Sequence, residues 1–171
     1  MTRKYYMKDA VNIADQAAND IEKWLKKQNY TIEVYNVEEN GYYRNIDVDL
    51  IWASTSGTFK IEIKGDRWDK TGNFFFETYS NKEKGTPGCF IYTEANYVFY
   101  YFVKTKVLYV LPMPKIRKWF LRNINRFKER ATTTPLGNGE QYTTVGRLVP
   151  ISDVLKDNPD VKKMDLNADS K

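Results

Sequence analysis

The sequence contains no histidine and only one cysteine. A Ser/His/Asp triad, a Cys/His dyad and a histidine-based zinc or iron site are therefore excluded within this chain. Cys89 alone cannot form an internal disulfide or a cysteine-rich metal site, and we expect it to be a core residue. A single cysteine is typical of a chain from a reducing compartment.

Long hydrophobic runs are also missing. No segment has the roughly 18 uninterrupted apolar residues that a membrane span requires. The first nine residues are basic, but no apolar stretch follows them, so we do not expect a secretory signal. The sequence predicts a cytoplasmic protein that does not enter a membrane.

The apolar content of the chain is sufficient for one packed domain. Its 171 residues are 42% hydrophobic and 15% aromatic. We expect a single domain over residues 1–155. Residues 156–171 are rich in Lys and Asp and have few large apolar side chains, so they predict a flexible charged tail.

Positive charge is concentrated in one segment. The net charge is +5, and residues 112–130 carry seven basic residues and one acidic residue, so the rest of the chain sums to about −1. This distribution favours a polyanionic partner, whereas the alternative is a solvated helix face without a partner. A helix over residues 115–130 would dock by its apolar face and leave its basic side chains to contact DNA phosphates. These are Arg117, Lys118, Arg122, Arg126 and Arg130.

Hydrophobic periodicity predicts an α/β or α+β protein with a central mixed sheet flanked by helices. Apolar residues at three- and four-residue steps indicate a helix over about residues 9–28. Alternating segments then predict strands, and residues 46–52 and 58–64 should form a hairpin around a turn at 55–57. The predicted strands are 30–35, 46–52, 58–64, 74–79, 89–92, 97–103 and 107–111, and 132–142 is a predicted loop.

Charged residues interrupt the two hairpin strands at unusual places. Strand alternation puts Glu62 and Lys64 on the same face, and the hairpin can bring Asp49 alongside Glu62. Two adjacent carboxylates resist ionisation unless a cation lies between them. Without histidine the ligands would be oxygen atoms, which favour Mg²⁺ or Mn²⁺, and Lys64 could stabilise negative charge or orient a water. The alternative is an ordinary solvent-facing strand face with alternating polar residues.

This region resembles the Asp…Glu-x-Lys core of the PD-(D/E)xK nuclease superfamily. Asp49 is followed, thirteen residues later, by Glu62-Ile63-Lys64. The preceding helix and strand also match the order of that family, and the resemblance covers about residues 9–111. One departure from the family pattern is that Val48, not proline, precedes Asp49, and many members also lack that proline. The resemblance implies a restriction-endonuclease-like core that starts with an αβββ unit, as in archaeal-type Holliday junction resolvases and phage nucleases.

The resemblance also implies an activity, which is metal-dependent hydrolysis of DNA phosphodiester bonds by an endonuclease. Asp49, Glu62 and the carbonyl of Ile63 would bind Mg²⁺, with Mn²⁺ as a substitute, and Lys64 would assist the attacking water. Many members add an acid from the first helix. Asp20 lies nearest to the apolar face of the helix here and is favoured. Asp15 and Glu22 are alternatives for that acid, Asp47 is either an auxiliary ligand or an exposed residue, and Asn73 and Glu77 could contact DNA or a second metal.

Two other functions stay open. The chain could be a non-catalytic DNA-binding module on the same fold, or an interaction protein such as an inhibitor encoded by a mobile element, which pairs with its partner through aromatic edge strands. The general form of the sequence suggests a phage origin. The DNA substrate could be a junction, a flap, an end or a duplex site. Cutting both strands usually needs two active sites, so a homodimer is also an expectation.

Overall fold

A computed structural model describes residues 3, 4 and 7–168 and contains two β-sheets and five α-helices within them. The helices are α1 (Met7–Lys27), α2 (Gly41–Asn45), α3 (Cys89–Tyr92), α4 (Lys115–Asn123) and α5 (Ile151–Asp157). The strands are β1 (Arg3–Lys4), β2 (Thr31–Asn36), β3 (Leu50–Ser54), β4 (Gly57–Asp66), β5 (Asn73–Asn81), β6 (Thr86–Pro87), β7 (Tyr97–Phe102), β8 (Val107–Pro112), β9 (Lys128–Pro135), β10 (Gln141–Pro150) and β11 (Lys162–Asp165). Short 3₁₀ turns occupy Asp69–Thr71 and Ile124–Arg126.

Helix α1 confirms the predicted first helix and packs on strand β4. Ala17, Ile21 and Leu25 recur at four-residue steps and are completely buried. The helix approaches closely at Gly65, where an added Cβ would lie 2.9 Å from the Cβ of Ala17. Glycine at this position therefore lets the helix rest directly on the strand that carries Glu62 and Lys64.

The larger sheet has six strands in the order β11-β8-β7-β4-β3-β2. Strands β4 and β7 are parallel, and the other neighbours are antiparallel, so the predicted mixed sheet is confirmed. After the two-residue strand β1, helix α1 is followed by β2, β3 and β4, with α2 between β2 and β3. The restriction-endonuclease-like arrangement of these elements stays a prediction.

The six-stranded sheet is covered on both faces. Phe99 and Tyr101 belong to the apolar cluster under α1. On the opposite face, Tyr100 contacts Phe74 of β5, with ring centroids 4.7 Å apart. Strand β5 belongs to the smaller sheet, whose order is β1-β9-β10-β5-β6. Residues of β4 and β7 are therefore enclosed on both sides, including those with charged side chains.

Residues 46–49 are not part of a strand, contrary to the prediction of a strand over 46–52. The short helix α2 ends just before them, and the N–H of Val48 donates to the carbonyl of Tyr43. Asp47 has a φ of 58°, a left-handed conformation that aspartate tolerates better than most residues. Regular pairing with β4 begins only at Leu50, which lies opposite Ile61.

The predicted strand at 89–92 is a single turn of helix, α3. Its residues have strand-forming side chains, but tertiary packing overrides that preference. Phe90 is fully buried and stacks on Phe76 with ring centroids 3.9 Å apart. Arg117 donates through Nε to the carbonyl of Phe90 at 3.1 Å and through its terminal nitrogen to that of Thr93 at 2.5 Å. The helical turn is therefore held at its end by a side chain from α4.

The predicted basic helix over 115–130 is too long. Helix α4 ends at Asn123, and the buried ring of Phe127 then turns the chain into β9. Arg130 is consequently on a strand, opposite Gly146 of β10. The predicted loop at 132–142 was also wrong in large part, because most of it belongs to the β9–β10 hairpin. Three consecutive threonines at 132–134 are β-branched residues that suit a strand.

The segment predicted as a flexible tail contains ordered structure. Strand β11 pairs antiparallel with β8, with Lys162 opposite Val110. Val161 and Leu166 flank that strand and are each 8% exposed. Two apolar anchors are thus enough to attach a mostly charged segment to the edge of a sheet. Residues 169–171 of the predicted tail lie outside the described residues.

No helix among residues 7–168 combines the length and the apolar character that a membrane crossing needs. Helix α1 has 21 residues but carries charged side chains along its exposed face.

Candidate functional site

The candidate site lies on the face of the six-stranded sheet opposite α1. Glu62 and Lys64 lie opposite Val98 and Tyr100 of β7, and both neighbours belong to the cluster on that face. Because strand side chains alternate, the intervening Ile63 points towards α1 instead. The prediction that Glu62 and Lys64 share a face is therefore confirmed. Helix α3 and strand β5 supply the residues that lie over them.

Asp49 lies alongside Glu62, as the hairpin prediction requires. Its backbone N–H donates to the carbonyl of Ile61 at 2.9 Å, and its Oδ2 accepts the N–H of Ile63 at 2.7 Å. The carboxyl groups of Asp49 and Glu62 are close enough that each changes the pKa of the other. Burial raises the pKa of Asp49 to about 6, although the bond from Ile63 opposes this. The backbone of β4 therefore fixes this carboxyl group in place.

Asp47 reaches the same site from the turn before β3. The hydroxyl of Thr93 donates to its carbonyl at 2.6 Å, which anchors the turn to the end of α3. Its Oδ2 is buried and has no hydrogen-bond partner within the described part of the chain. Burial raises the pKa of Asp47 to about 6, and Lys64 and a hydrogen bond from Tyr92 act in the opposite direction. Asp47 is thus a member of the site and not an exposed residue.

Glu62 is the most enclosed acid of the site. It is 8% exposed, and its Oε2 has no hydrogen-bond partner among residues 7–168. Burial raises the pKa of Glu62 well above its ordinary value, and the charges of Asp49 and Asp47 raise it further. A buried carboxylate oxygen without a partner is costly, so it indicates either a bound proton or a place for a cation.

Lys64 forms a partly buried ion pair with Glu77 of β5. Burial alone would lower the pKa of Lys64, but the surrounding acidic groups, with Glu77 foremost, together raise it. The side chains of Lys64 and Glu77 are 25% and 14% exposed. Gly88 allows this arrangement, because a Cβ there would lie 2.5 Å from the backbone of Glu77. The ammonium group is therefore charged and oriented by a fixed partner.

Helix α3 places Cys89 and Tyr92 over the acids. One side-chain ligand atom from each of Asp47, Glu62 and Cys89 lies within 4.8 Å of the other two. Cys89 is 5% exposed, and burial raises the pKa of its thiol well above the ordinary value. Tyr92 hydrogen-bonds to Asp47, and burial followed by the charge of that acid raises its pKa.

Asp49 and Asp47 also line an open cleft of about 310 Å³. The other charged residues around it are Asp15, Glu38, Glu39 and Arg44. Arg44 is already paired with Glu39 at 3.2 Å. Burial raises the pKa of Glu38, and Asp15 adds to this effect. The cleft is therefore strongly acidic, and cations would be attracted to it.

The first-helix acid at this cleft is Asp15, whereas sequence reasoning favoured Asp20. Asp20 accepts a hydrogen bond from Tyr101 at 2.9 Å, on the face of the sheet that α1 covers. The structure thus places Asp20 across the sheet from Glu62. Glu22 pairs with Lys26 and does not line the cleft either. The helical-wheel argument failed here because it located the apolar face but not the position of the cleft along the helix.

The predicted DNA-contacting residues fall into two groups. Lys118, Arg122 and Arg126 are exposed, although Arg126 has Asp153 at 3.6 Å. Lys118 and Arg122 line a second cleft of about 770 Å³ together with Trp119. Arg117 instead binds the carbonyls at the end of α3, and Arg130 lies on β9.

Sequence reasoning missed Cys89 and Tyr92 as site residues and assigned Glu77 no firm role. A helical reading of 89–92 would have placed Cys89 and Tyr92 on one face, three residues apart. A four-residue helix leaves no periodic signal, however, so only the fold reveals it. Glu77 follows three consecutive phenylalanines along β5, and that pattern alone could not show its partner.

Comparison with models of known protein families, with curated proteins and with solved structures finds no match for this chain.

Proposed function

We propose that this protein is a metal-dependent DNA endonuclease whose site comprises Asp49, Glu62 and Lys64, with Asp47 as a further acid. One observation carries the proposal. Two buried carboxylate oxygens, Oδ2 of Asp47 and Oε2 of Glu62, lack hydrogen-bond partners within residues 7–168 and lie beside a charged, partly buried lysine. An inert strand face would have no reason to keep several acids at that cost.

The residues fit a divalent cation. A cation between the carboxylates of Asp47 and Glu62 would give both oxygens a partner and would favour the ionised acids. The N–H of Ile63 faces Asp49, and a strand residue directs its N–H and C=O to the same neighbour. The Ile63 carbonyl therefore lies at the edge of β4 next to these acids, where the resemblance assigns a ligand.

Within such a site each side chain has a defined task. A bound Mg²⁺ or Mn²⁺ would lower the pKa of a water and polarise the phosphate. Asp49 is held by the N–H of Ile63, so its carboxylate needs no rearrangement to serve as a ligand. Lys64 is held by Glu77, so its ammonium is positioned to orient the water or to neutralise charge that develops on the phosphate.

The acidic cleft makes the cation a requirement for DNA to approach. Five carboxylates and one paired arginine line it, so a phosphodiester would be repelled without counter-ions. The exposed Lys118 and Arg122 supply phosphate contacts that carry no sequence preference. We therefore propose metal-dependent cleavage together with salt-sensitive, sequence-tolerant DNA binding.

The direct test is cleavage of labelled DNA as single strand, duplex, flap and four-way junction, each with Mg²⁺, with Mn²⁺ or with EDTA. Wild type is compared with Glu62→Gln, which keeps the size of the side chain and removes its charge. We expect metal-dependent cutting that Glu62→Gln reduces about 100-fold or more. The preferred substrate then identifies the class of nuclease.

The matched control is Glu140→Gln, the same exchange on an exposed loop residue, and it should cut like wild type. DNA binding by fluorescence anisotropy should survive Glu62→Gln, since phosphate contacts elsewhere supply the affinity. Binding without cutting under every condition would instead identify a non-catalytic DNA-binding module. Stable co-purification with another protein and no DNA binding would indicate an interaction protein.

A further inference from the structure

The only cysteine of the chain lies among the buried acids. Asp47, Glu62 and Cys89 come from a turn, strand β4 and helix α3, and one ligand atom of each lies within 4.8 Å of the other two. Oε2 of Glu62, a residue 8% exposed, has no hydrogen-bond partner within the described part of the chain, and neither does Oδ2 of Asp47. Two independent features therefore coincide, namely the clustering of three ligand types and the unsatisfied oxygens within it.

We propose that Asp47, Glu62 and Cys89 form a mixed carboxylate–thiolate site for a thiophilic divalent cation such as Zn²⁺, Co²⁺ or Cd²⁺. The inference rests on the proposed function only in that the two sites share Glu62. It adds Cys89 as a ligand, and it makes thiophilic ions competitors of Mg²⁺ and Mn²⁺ for the same acids.

The charges around the cluster favour a cation. Lys64 is the nearby base, but its ammonium is already paired with Glu77. Its charge is thereby offset, while Oδ2 of Asp47 and Oε2 of Glu62 have no hydrogen-bond partner within the described residues. Asp49 adds a further acid on the same side, and its charge acts on Glu62. The balance at the cluster stays negative once these acids ionise.

The ligand type decides which cation is preferred. Mg²⁺ binds oxygen and dehydrates reluctantly, whereas thiolate sulfur favours softer ions such as Zn²⁺. Zinc–sulfur and zinc–oxygen bonds of about 2.0–2.3 Å in tetrahedral geometry put two ligand atoms about 3.3–3.8 Å apart, which is about 1–1.5 Å closer than the upper bound observed here. The ligand atoms here lie within 4.8 Å of one another, so small side-chain movements suffice to enclose an ion. Three protein ligands also leave a position open for water, as in catalytic zinc sites.

A route from solvent to the cluster is present. Asp47 belongs to the cluster and also lines the acidic cleft of about 310 Å³, together with Asp49. A cation attracted to the cleft would therefore meet Asp47 first and then the ligands beneath it. Cys89 itself is 5% exposed, so larger thiol reagents would react slowly.

Titration with Co²⁺ tests the inference without any need for DNA cleavage. A cobalt–sulfur bond produces an intense charge-transfer absorption in the near ultraviolet. Because the chain has one cysteine and no histidine, a band of this kind can report only Cys89. We expect a saturable band at one Co²⁺ per chain that Zn²⁺ and Cd²⁺ abolish by displacement. Saturation with Cd²⁺ at 100 times its Kd should raise Tm by about 5–10 °C.

Three variants complete the experiment. Cys89→Ala should remove the band, Glu62→Gln should weaken Co²⁺ binding about 10-fold or more, and the exposed-site exchange Glu140→Gln should change nothing. Circular dichroism and thermal melting of each variant verify that it is folded. Absence of the band in folded wild type would overturn the inference. So would a band whose affinity is the same in Glu62→Gln, because the thiol would then bind alone.

The outcome is separable from that of the proposed nuclease. A protein that binds Co²⁺ through sulfur but cuts no DNA would refute the nuclease and leave this site standing. If the protein cuts DNA with Mg²⁺ but its Co²⁺ complex shows no sulfur band, the thiolate site is refuted and the proposed nuclease stands.

Discussion

The ion pair between Lys64 and Glu77 should be a measurable contributor to stability. Replacing Lys64 with methionine keeps most of the chain length and removes the charge. Glu77, whose side chain is 14% exposed, would then be left without its cation. In addition, Asp47 and Glu62 would lose a positive neighbour that offsets their repulsion. The substitution therefore affects four acidic or basic groups and not a single contact.

The expected loss in the free energy of unfolding follows from the partial burial of the Lys64–Glu77 ion pair. Removing one partner of a buried ion pair typically costs about 3–5 kcal/mol, and the partial exposure here puts the expectation near the lower end, about 3 kcal/mol. For a chain of this length that corresponds to a decrease in Tm of about 6–12 °C. The double variant Lys64→Met/Glu77→Gln removes the orphaned charge and should recover about 2 kcal/mol of that loss.

The assay is urea denaturation in EDTA at pH 7.5, followed by tryptophan fluorescence and by circular dichroism. Wild type, both single variants and the double variant form one thermodynamic cycle. The reasoning would be refuted by a Lys64→Met loss below about 1 kcal/mol, the value of an exposed pair. It would also be refuted by a double variant no more stable than Lys64→Met. The proposed nuclease activity should stay lost in the double variant, which separates the proposed catalytic role of Lys64 from its role in stability.

Three further predictions concern the surroundings of the site. Burial raises the pKa of Asp47 and of Asp49 to about 6 from 3.8. The folded protein therefore keeps protons that the unfolded chain releases. The resulting contribution to the free energy of unfolding is at most about 3 kcal/mol per group. It is full below about pH 4 and is lost as the pH rises through 6. Urea midpoints in EDTA should accordingly fall between pH 5 and 7.5, and Mn²⁺ should restore them at pH 7.5, whereas a flat profile would contradict the burial argument. Gly88→Ala places a Cβ 2.5 Å from the backbone of Glu77 and should destabilise the protein by about 1–3 kcal/mol or more. A Cβ at Gly41 meets nothing within 4 Å, so Gly41→Ala should not destabilise the protein comparably. Equal melting temperatures of the two variants would contradict this. Arg117→Met should lower Tm, because Arg117 donates to the carbonyl of Phe90, whereas Lys118→Met should leave Tm unchanged. Lys118→Met should instead weaken DNA binding and reduce its salt dependence, measured by anisotropy titrations at several salt concentrations.

The central part of the fold could be predicted because its signals are local. The 21-residue helix α1 repeats its apolar residues over several turns. Strands β3 and β4 are joined by a short turn, so their register follows from the chain itself. That register alone brings Asp49 next to Glu62. The local sequence pattern was therefore sufficient to predict that Asp49 and Glu62 lie side by side.

The elements that lie over Glu62 and Lys64 are helix α3 and strand β5. Their place in the site could not be predicted, because it depends on contacts between residues that are distant in the chain. Cys89 lies on a helical turn that is held by Arg117, which is 28 residues away in the chain. Glu77 becomes a site residue only because the smaller sheet packs on the larger one and brings it to Lys64. Asp15 was not preferred to Asp20 because the location of the cleft depends on α2 and the turn after it. Periodicity reports which face of an element is apolar, but not what lies opposite it.

Arg117 shows why charge in a sequence is weak evidence for a binding surface. Counted with its basic neighbours it suggests a phosphate contact, yet its guanidinium donates to the carbonyls of Phe90 and Thr93. Thr93 in turn donates to the carbonyl of Asp47. A positive residue of α4 is thus connected through two hydrogen-bonded steps to an acid of the candidate metal site. Arg117 therefore holds the end of α3 over the site. If α4 binds DNA as proposed, substitutions along it divide into those that change DNA affinity and those that change the shape of the site.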